Sequence, residues 1–325
     1  MIRLAALFVC TVLGAGFATG QEIMRYFSDY GIVGLLGVVV SSAVFGLCLY
    51  KTKYYNNFGE ILADMPFCAK VVIFLSFIIF YSAMISAMGE IVWELFGVNK
   101  ILTGVLMALL VCTLTIMGAE NIIAFSEIIC LPMIVITVIV GIKLMLMPME
   151  FRPPVSSVKG AFSPFIYVSY NLASSLAVVT EHKYKKGMAT FSAILIGITA
   201  LAIAIPLYKY YGFVKNCPLP VLNLLPQGEL LTYLYIFTIG GAVFTTAVSN
   251  SYSASQYLEN KTGKNKAIVC VTVALLSLLL SFIGFENIVA RGYFVFGLTG
   301  LLLMFKVLFK KKTNWKNLLN KAVDL

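Results

Sequence analysis

Charge is scarce in this 325-residue chain: Asp, Glu, Lys and Arg together make up 12% of it, against 60% apolar residues. The mean hydropathy is +0.95. A water-soluble domain carries roughly 25% charged residues, and a particle of this size cannot bury such an apolar excess. The solvent is therefore lipid, which excludes a soluble enzyme, a nucleic-acid-binding module and a disordered regulator. Histidine is nearly missing, with His182 alone, and Asp29, Asp64 and Asp324 are the only aspartates. Intramembrane metalloproteolysis needs several metal ligands, and aspartyl chemistry needs paired membrane aspartates, so neither enzyme class has its residues and no enzyme is expected. No GxxxxGK[ST] loop supports ATP-driven pumping. No CxxC motif occurs, and of seven cysteines only Cys217 falls in an outer loop, which leaves no pair for an extracellular disulfide.

What the chain does have is long apolar runs. A spanning helix needs about 20 mainly apolar residues, and ten runs qualify: 2–27, 31–50, 71–96, 101–117, 122–147, 164–179, 188–208, 230–257, 267–285 and 288–309. They are continuously apolar rather than alternating, so the expected fold is an all-α integral membrane protein and not a β-barrel. With the N-terminus inside, Lys51, Lys53, Lys70, Lys183, Lys185, Lys186, Lys261, Lys264 and Lys266 share the cytoplasmic face with the tail, and far fewer basic residues lie opposite. The positive-inside rule thus places both termini in the cytoplasm of a multi-pass cell-membrane protein, and it accounts for the net charge of +10. The tail lysines Lys310, Lys311 and Lys312 read as a solvated stop-transfer segment. The first run continues past Gly20 into Glu22 and Arg25, which argues against a cleaved signal peptide.

Two outer connections are rich in proline, 148–163 with Pro153 and Pro154, and 209–229 with Pro218, Pro220 and Pro226; proline keeps such segments extended or turning. The first of them divides the chain into a five-helix repeat over 1–150 and a second over 151–309, followed by a basic cytoplasmic tail over 310–325. An odd number of helices per half inverts the second half in the membrane, as in inverted-repeat secondary transporters.

Each half leads with a helix that departs from the lipid-compatible pattern. In the first, Gly14-Ala15-Gly16-Phe17-Ala18-Thr19-Gly20-Gln21-Glu22 sets three glycines and a carboxylate near mid-bilayer. An interior glycine costs a helix up to about 1 kcal/mol relative to alanine, and a charge at depth costs several more unless it meets protein or water. Small residues also serve close packing, but Gln21-Glu22 directly after the glycines favours an unwound segment whose backbone groups hold ligands. In the sixth helix, Ser169, Tyr170, Asn171, Ser174 and Ser175 suggest a matching break, because Ser and Asn can replace lost backbone bonds. The eighth helix carries Thr245, Thr246, Ser249, Asn250 and Ser251, hydroxyl oxygens suited to a dry sodium site or simply to back-bonding. Glu90, Glu94, Glu127 and Arg291 are further intramembrane charges, with Glu90 the deeper of its pair, and Tyr81, Phe165, Tyr167 and Tyr170 are candidate cavity aromatics.

Ten helices, a glycine-broken first helix and a hydroxyl-rich eighth resemble the amino acid–polyamine–organocation superfamily with its LeuT-type 5+5 inverted repeat and broken first and sixth helices. Within it, the stretch from Gly14 to Glu22 is similar to YkvI-type bacterial membrane proteins. The resemblance implies a sodium site made from the Ala242 carbonyl, the Thr245 and Thr246 hydroxyls, and the Cys10 and Leu13 carbonyls. It also implies a substrate carboxylate at the Gly14, Ala15 and Gly16 N–H groups, with Tyr170, Asn171 and Ser174 completing the substrate site. Proton-coupled relatives carry a lysine in the inner half of the fifth helix; Lys143 lies near its outer end, so sodium coupling is implied. Glu22 and Glu90 are assigned to gating or coupling, Glu22 by pairing with Arg25 rather than by direct substrate contact. The expected function is a cation-coupled, sodium-driven secondary transporter of a small organic solute, foremost an amino acid, working by alternating access with the lipid bilayer as its other partner and Na+ as coupling ion. The alternative is a transporter-like ligand sensor without turnover.

Overall fold

The computed structural model describes residues 1–217 and 219–310; the side chains of 285–294, Arg291 included, and the tail beyond Lys310 fall outside the described residues. The chain forms helices α1 (Ile2–Val12), α2 (Ala15–Thr19), α3 (Gln21–Tyr26), α4 (Gly31–Lys51), α5 (Phe58–Leu62), α6 (Phe67–Phe96), α7 (Lys100–Met117), α8 (Ala119–Leu146), α9 (Ser163–Val179), α10 (Met188–Lys209), α11 (Tyr211–Val214), α12 (Pro220–Leu224), α13 (Leu230–Thr262), α14 (Lys266–Ser281) and α15 (Phe285–Phe309). There is no strand among the described residues. Seven helical stretches are long and apolar enough to cross a membrane, and three shorter apolar helices, Ile2–Val12, Lys266–Ser281 and Val295–Phe309, bring the described spans to the ten expected. The protein is a multi-pass membrane protein.

The spans pack as two groups. Helices α1, α4, α9 and α10 contact one another, as do α6, α7, α13 and α14, with α8 against α1, α10 and α13 and α15 between α9 and α6. The outward faces are apolar: Ile32, Leu36 and Leu47 on α4, Leu102, Leu106 and Leu109 on α7, and Leu275 and Leu279 on α14 are all exposed. Small residues set the tightest crossings. A β-carbon on Gly300 would come within 2.5 Å of the Ser169 carbonyl carbon, and the Ser169 hydroxyl donates to the Gly297 carbonyl at 2.8 Å. Helices without a hydrophobic drive to associate rely on such close approach. Gly300→Ala is therefore expected to destabilise the protein by roughly 1–3 kcal/mol, read as a lower melting temperature in detergent; an unchanged melting temperature would mean α9 and α15 are not in backbone contact.

One expectation is corrected. The sixth span, α9, is a continuous helix from Ser163 to Val179. Asn171 Nδ2 donates to the Tyr167 carbonyl at 3.1 Å, while the Ser174 and Ser175 hydroxyls donate to the Asn171 carbonyl. These polar side chains bond within the helix instead of replacing bonds lost at a break. The proline-rich segment 209–229 holds α11 and α12, with Pro220 in the first turn of α12, where a missing N–H costs nothing.

Candidate functional site

The first span is interrupted twice. Helix α1 stops at Val12; Leu13 leaves helical geometry (φ −80°, ψ 60°), and Gly14 is extended with φ −73° and ψ −171°. The Gly14 N–H turns to the Val12 carbonyl at 2.9 Å, whereas a continuous helix would direct it to Cys10. The second interruption is Gly20, whose φ of +88° is a left-handed geometry that glycine adopts without penalty. Every residue from Leu4 to Gly20 is buried, so this irregular backbone lies within protein, the one setting in which a bilayer tolerates it.

Helix α13 holds the segment at several points. Thr11 Oγ1 lies 3.0 Å from Ser249 Oγ, and the Tyr235 hydroxyl donates to the Ala18 carbonyl at 2.5 Å. Between these ties, a β-carbon on Gly14 would stand 3.0 Å from Thr246 Oγ1. Thr246 Oγ1 is buried and has no hydrogen-bond partner, and neither has Asn250 Oδ1 one turn further on. Thr245 Oγ1 donates to the Gly241 and Ala242 carbonyls, at 3.0 and 3.2 Å. Of the expected ion ligands, the structure thus brings Thr246 to the break, keeps Thr245 beside the Ala242 carbonyl, and leaves Cys10 and Leu13 at the open end of α1. The set is hard, neutral oxygen, which fits a sodium ion. No group of three His, Cys, Asp or Glu residues capable of holding a transition metal exists among the described residues.

The other side of the segment is different in character. A β-carbon on Gly16 would fall within 2.5 Å of Glu22 Cγ and 2.6 Å of its carboxyl carbon. Glu22 therefore folds back onto the backbone of the break, 6% exposed. Tyr26 stacks near Tyr170 and Tyr167, with ring centroids 5.5 and 5.8 Å away; Phe80 of α6 stands 6.2 Å from Tyr170 and 5.2 Å from Phe296. The Tyr167 hydroxyl is buried without a hydrogen-bond partner.

Tyr170 thus meets the broken helix through Tyr26, whereas Asn171 and Ser174 spend hydrogen bonds inside α9. Arg25 is exposed, whereas Glu22 is buried. Glu90 is not near the break: it pairs with Lys100 beside a cavity of about 220 Å³ lined by Gly89, Gly104 and Leu278. Glu127 pairs with Arg3 at 2.8 Å, Lys143 pairs with Glu229, and Glu94 lines a separate cavity of about 510 Å³. Tyr81 is buried in the scaffold, donating to the Ala108 carbonyl of α7 at 3.1 Å, and Phe165 is exposed. Residues that the sequence reading did not single out include Phe80, Tyr26, Tyr235 and Thr11; lone aromatics and hydroxyls in apolar runs carry no signal until their neighbours across the bundle are known.

At the Gly20 end, α12 covers the segment, with Val221 and Leu207 packed against Gly20. Towards the opposite end of the bundle, α13 continues through Ser253, whose hydroxyl donates to the Ser249 carbonyl at 2.7 Å. That residue lines a cavity of about 610 Å³ together with Asn57, Glu181, Gln256 and Asn260.

A ten-span bundle entered by a buried, twice-interrupted helix lying against a hydroxyl-rich eighth is the LeuT-type fold. The crystal structure of MhsT in complex with L-phenylalanine superposes with a TM-score of 0.72 at 12% identity, covering 98% of this chain and 94% of that one. A Na+-coupled sialic acid symporter in its substrate-bound outward-open state gives 0.64 at 16% identity, covering 95% and 79%. In sequence, the chain is similar to the uncharacterized membrane protein YkvI of Bacillus subtilis (strain 168), 24% identical over 97% of both chains. No protein-family profile matches the chain.

Proposed function

We propose that this protein is a sodium-coupled secondary transporter that moves a small organic solute, an amino acid, across the cell membrane by alternating access, with both termini cytoplasmic. The observation that carries the reading is the buried, partnerless Thr246 hydroxyl facing the open end of α1 at Gly14. A buried hydroxyl without a partner costs about 1–3 kcal/mol, which a bound cation offsets. Thr245, Thr246 and the Ala242 carbonyl, with the carbonyls of Cys10 and Leu13, would hold the ion. The substrate would lie beyond it, among the backbone of Gly14, Ala15 and Gly16 and the side chains of α9, Tyr170 foremost. The two solved structures of like fold, one holding L-phenylalanine and one a Na+-coupled symporter, support the class of function. The polar face of α13, running to the 610 Å³ cavity, supports release towards the cytoplasm. The two five-helix halves, 1–150 and 151–309, would supply the rocking elements.

The reading is tested by uptake of labelled amino acids into proteoliposomes with and without an inward Na+ gradient. The expected result is accumulation that collapses when the gradient is removed. Thermal stabilisation by an amino acid with no uptake under any gradient would instead identify a sensor.

A further inference from the structure

At the end of the bundle where α4 finishes and α10 begins, two basic segments distant in sequence meet. Tyr50 and Lys51 close α4 and Lys53 follows, while the turn 180–187 between α9 and α10 carries Lys183, Tyr184, Lys185 and Lys186. The Tyr50 and Tyr184 rings meet edge to face with centroids 6.0 Å apart. Lys53 Nζ stands over the Tyr50 ring at 3.4 Å and the Tyr54 ring at 4.9 Å. Lys53, Lys183, Lys185 and Lys186 are exposed. No acid occurs in 30–59 or 182–228; of the acids that flank these stretches here, Glu60 pairs with Lys310 and Glu181 lines the 610 Å³ cavity. From this patch α4 and α10 run side by side, packed through small residues. A β-carbon on Gly46 would stand 2.8 Å from Ala193 Cβ, and one on Gly197 3.1 Å from Ser42 Oγ. Leu47 on α4 and Ile194 and Ile198 on α10 are exposed along that seam. Like charges grouped in this way repel one another unless an anion is brought to them, and lysine holds phosphate as a point charge. Tyrosine favours the headgroup level of a bilayer. The positive-inside rule fixes the side such lysines take, but not their gathering about three tyrosines over an apolar seam.

We propose that Lys53, Lys183, Lys185 and Lys186, with Tyr50 and Tyr184, form a binding site for an anionic phospholipid. Its phosphate lies among the ammonium groups, and its acyl chains follow the seam past Leu47, Ile194 and Ile198. The occupant is a lipid and not a free phosphate because the apolar seam is continuous with the basic patch. A second basic cluster at the same end supplies the comparison: Lys261, Lys264 and Lys266 surround the turn between α13 and α14, where Glu259 stands close in sequence and Lys261 lines the same cavity as Glu181. The inference does not depend on the transporter reading.

The test titrates the full-length protein in neutral detergent with phosphatidylglycerol or phosphatidylcholine, read by shift in melting temperature. Phosphatidylglycerol is expected to stabilise the protein more than phosphatidylcholine does. With Lys53→Gln, Lys183→Gln, Lys185→Gln and Lys186→Gln combined, half the shift should need at least roughly a hundredfold more phosphatidylglycerol, at about fivefold for each lysine beside an anionic headgroup. Lys261→Gln, Lys264→Gln and Lys266→Gln combined should leave that midpoint unchanged. Equal stabilisation of the native protein by the two lipids overturns the site. So does an equal loss for each lysine replaced in the two variants, which would show general surface charge. Glycerol phosphate that stabilises the protein as strongly as phosphatidylglycerol would identify a free-phosphate site and overturn the lipid assignment. Should the fourfold variant fail to fold, the pairs Lys53→Gln with Lys183→Gln and Lys185→Gln with Lys186→Gln decide: each should carry part of the loss, and unchanged midpoints in both overturn the inference.

Discussion

Proteoliposomes carrying Thr245→Ala together with Thr246→Ala are expected to need at least roughly a hundredfold more sodium for half-maximal uptake, the consequence of losing two oxygens worth about 1.5–3 kcal/mol each against a charged partner. The double change is structurally mild. Thr246 Oγ1 makes no hydrogen bond, and Thr245 Oγ1 only bonds back to carbonyls of its own helix. Alanine is also the better helix former. The melting temperature without sodium should therefore hold, while its rise on adding sodium should shrink. Thr262→Ala serves as the control, because that hydroxyl sits exposed at the inner end of the same helix and bonds to the Leu258 carbonyl. A well-folded double variant with unchanged sodium dependence would remove the eighth span from the ion site.

The second large effect is expected at Gly16. Its substitution by alanine puts a methyl group where the Glu22 side chain lies, with Cγ at 2.5 Å and the carboxyl carbon at 2.6 Å from the new atom. Either Glu22 leaves its place or the short helix α2 shifts, and overpacking of this kind costs roughly 1–3 kcal/mol. Uptake is expected to fall by roughly a hundredfold, since small misplacements of binding groups have effects of that order. A double-mutant cycle isolates the cause. In a Glu22→Ala background the methyl group has room, so Gly16→Ala should then be nearly neutral in melting temperature, leaving a coupling of roughly 1–3 kcal/mol. Additive effects of the two substitutions would show that Gly16 and Glu22 do not meet.

Much of this architecture is legible in the sequence, for a physical reason. Lipid penalises charges and broken helices so strongly that ten apolar runs stand out, as does the Gly14–Glu22 stretch that violates the pattern. The same reasoning fails where a polar residue satisfies itself locally. Asn171, Ser174 and Ser175 look like a break in the sixth span, yet each donates within one turn and the helix persists. It fails again where function depends on what lies across the bundle. Glu90 and Glu22 are both acids in apolar runs, but Lys100 is at hand for one and Gly16 for the other. The second interruption, at Gly20, is one glycine among three in the sequence, and only the α12 residue Val221 lying over it sets it apart.

The complete burial of residues 4 to 20 also bears on how the bilayer acts on the protein. Helices such as α7 and α14 present leucine and isoleucine to the acyl chains and answer to membrane thickness by tilting or by drawing lipid around them. The interrupted span has no such boundary. Its length, its kinks and the spacing of its two glycine faces are set by neighbouring side chains alone, so the interrupted element is mechanically insulated from the lipid that the rest of the chain is built to meet.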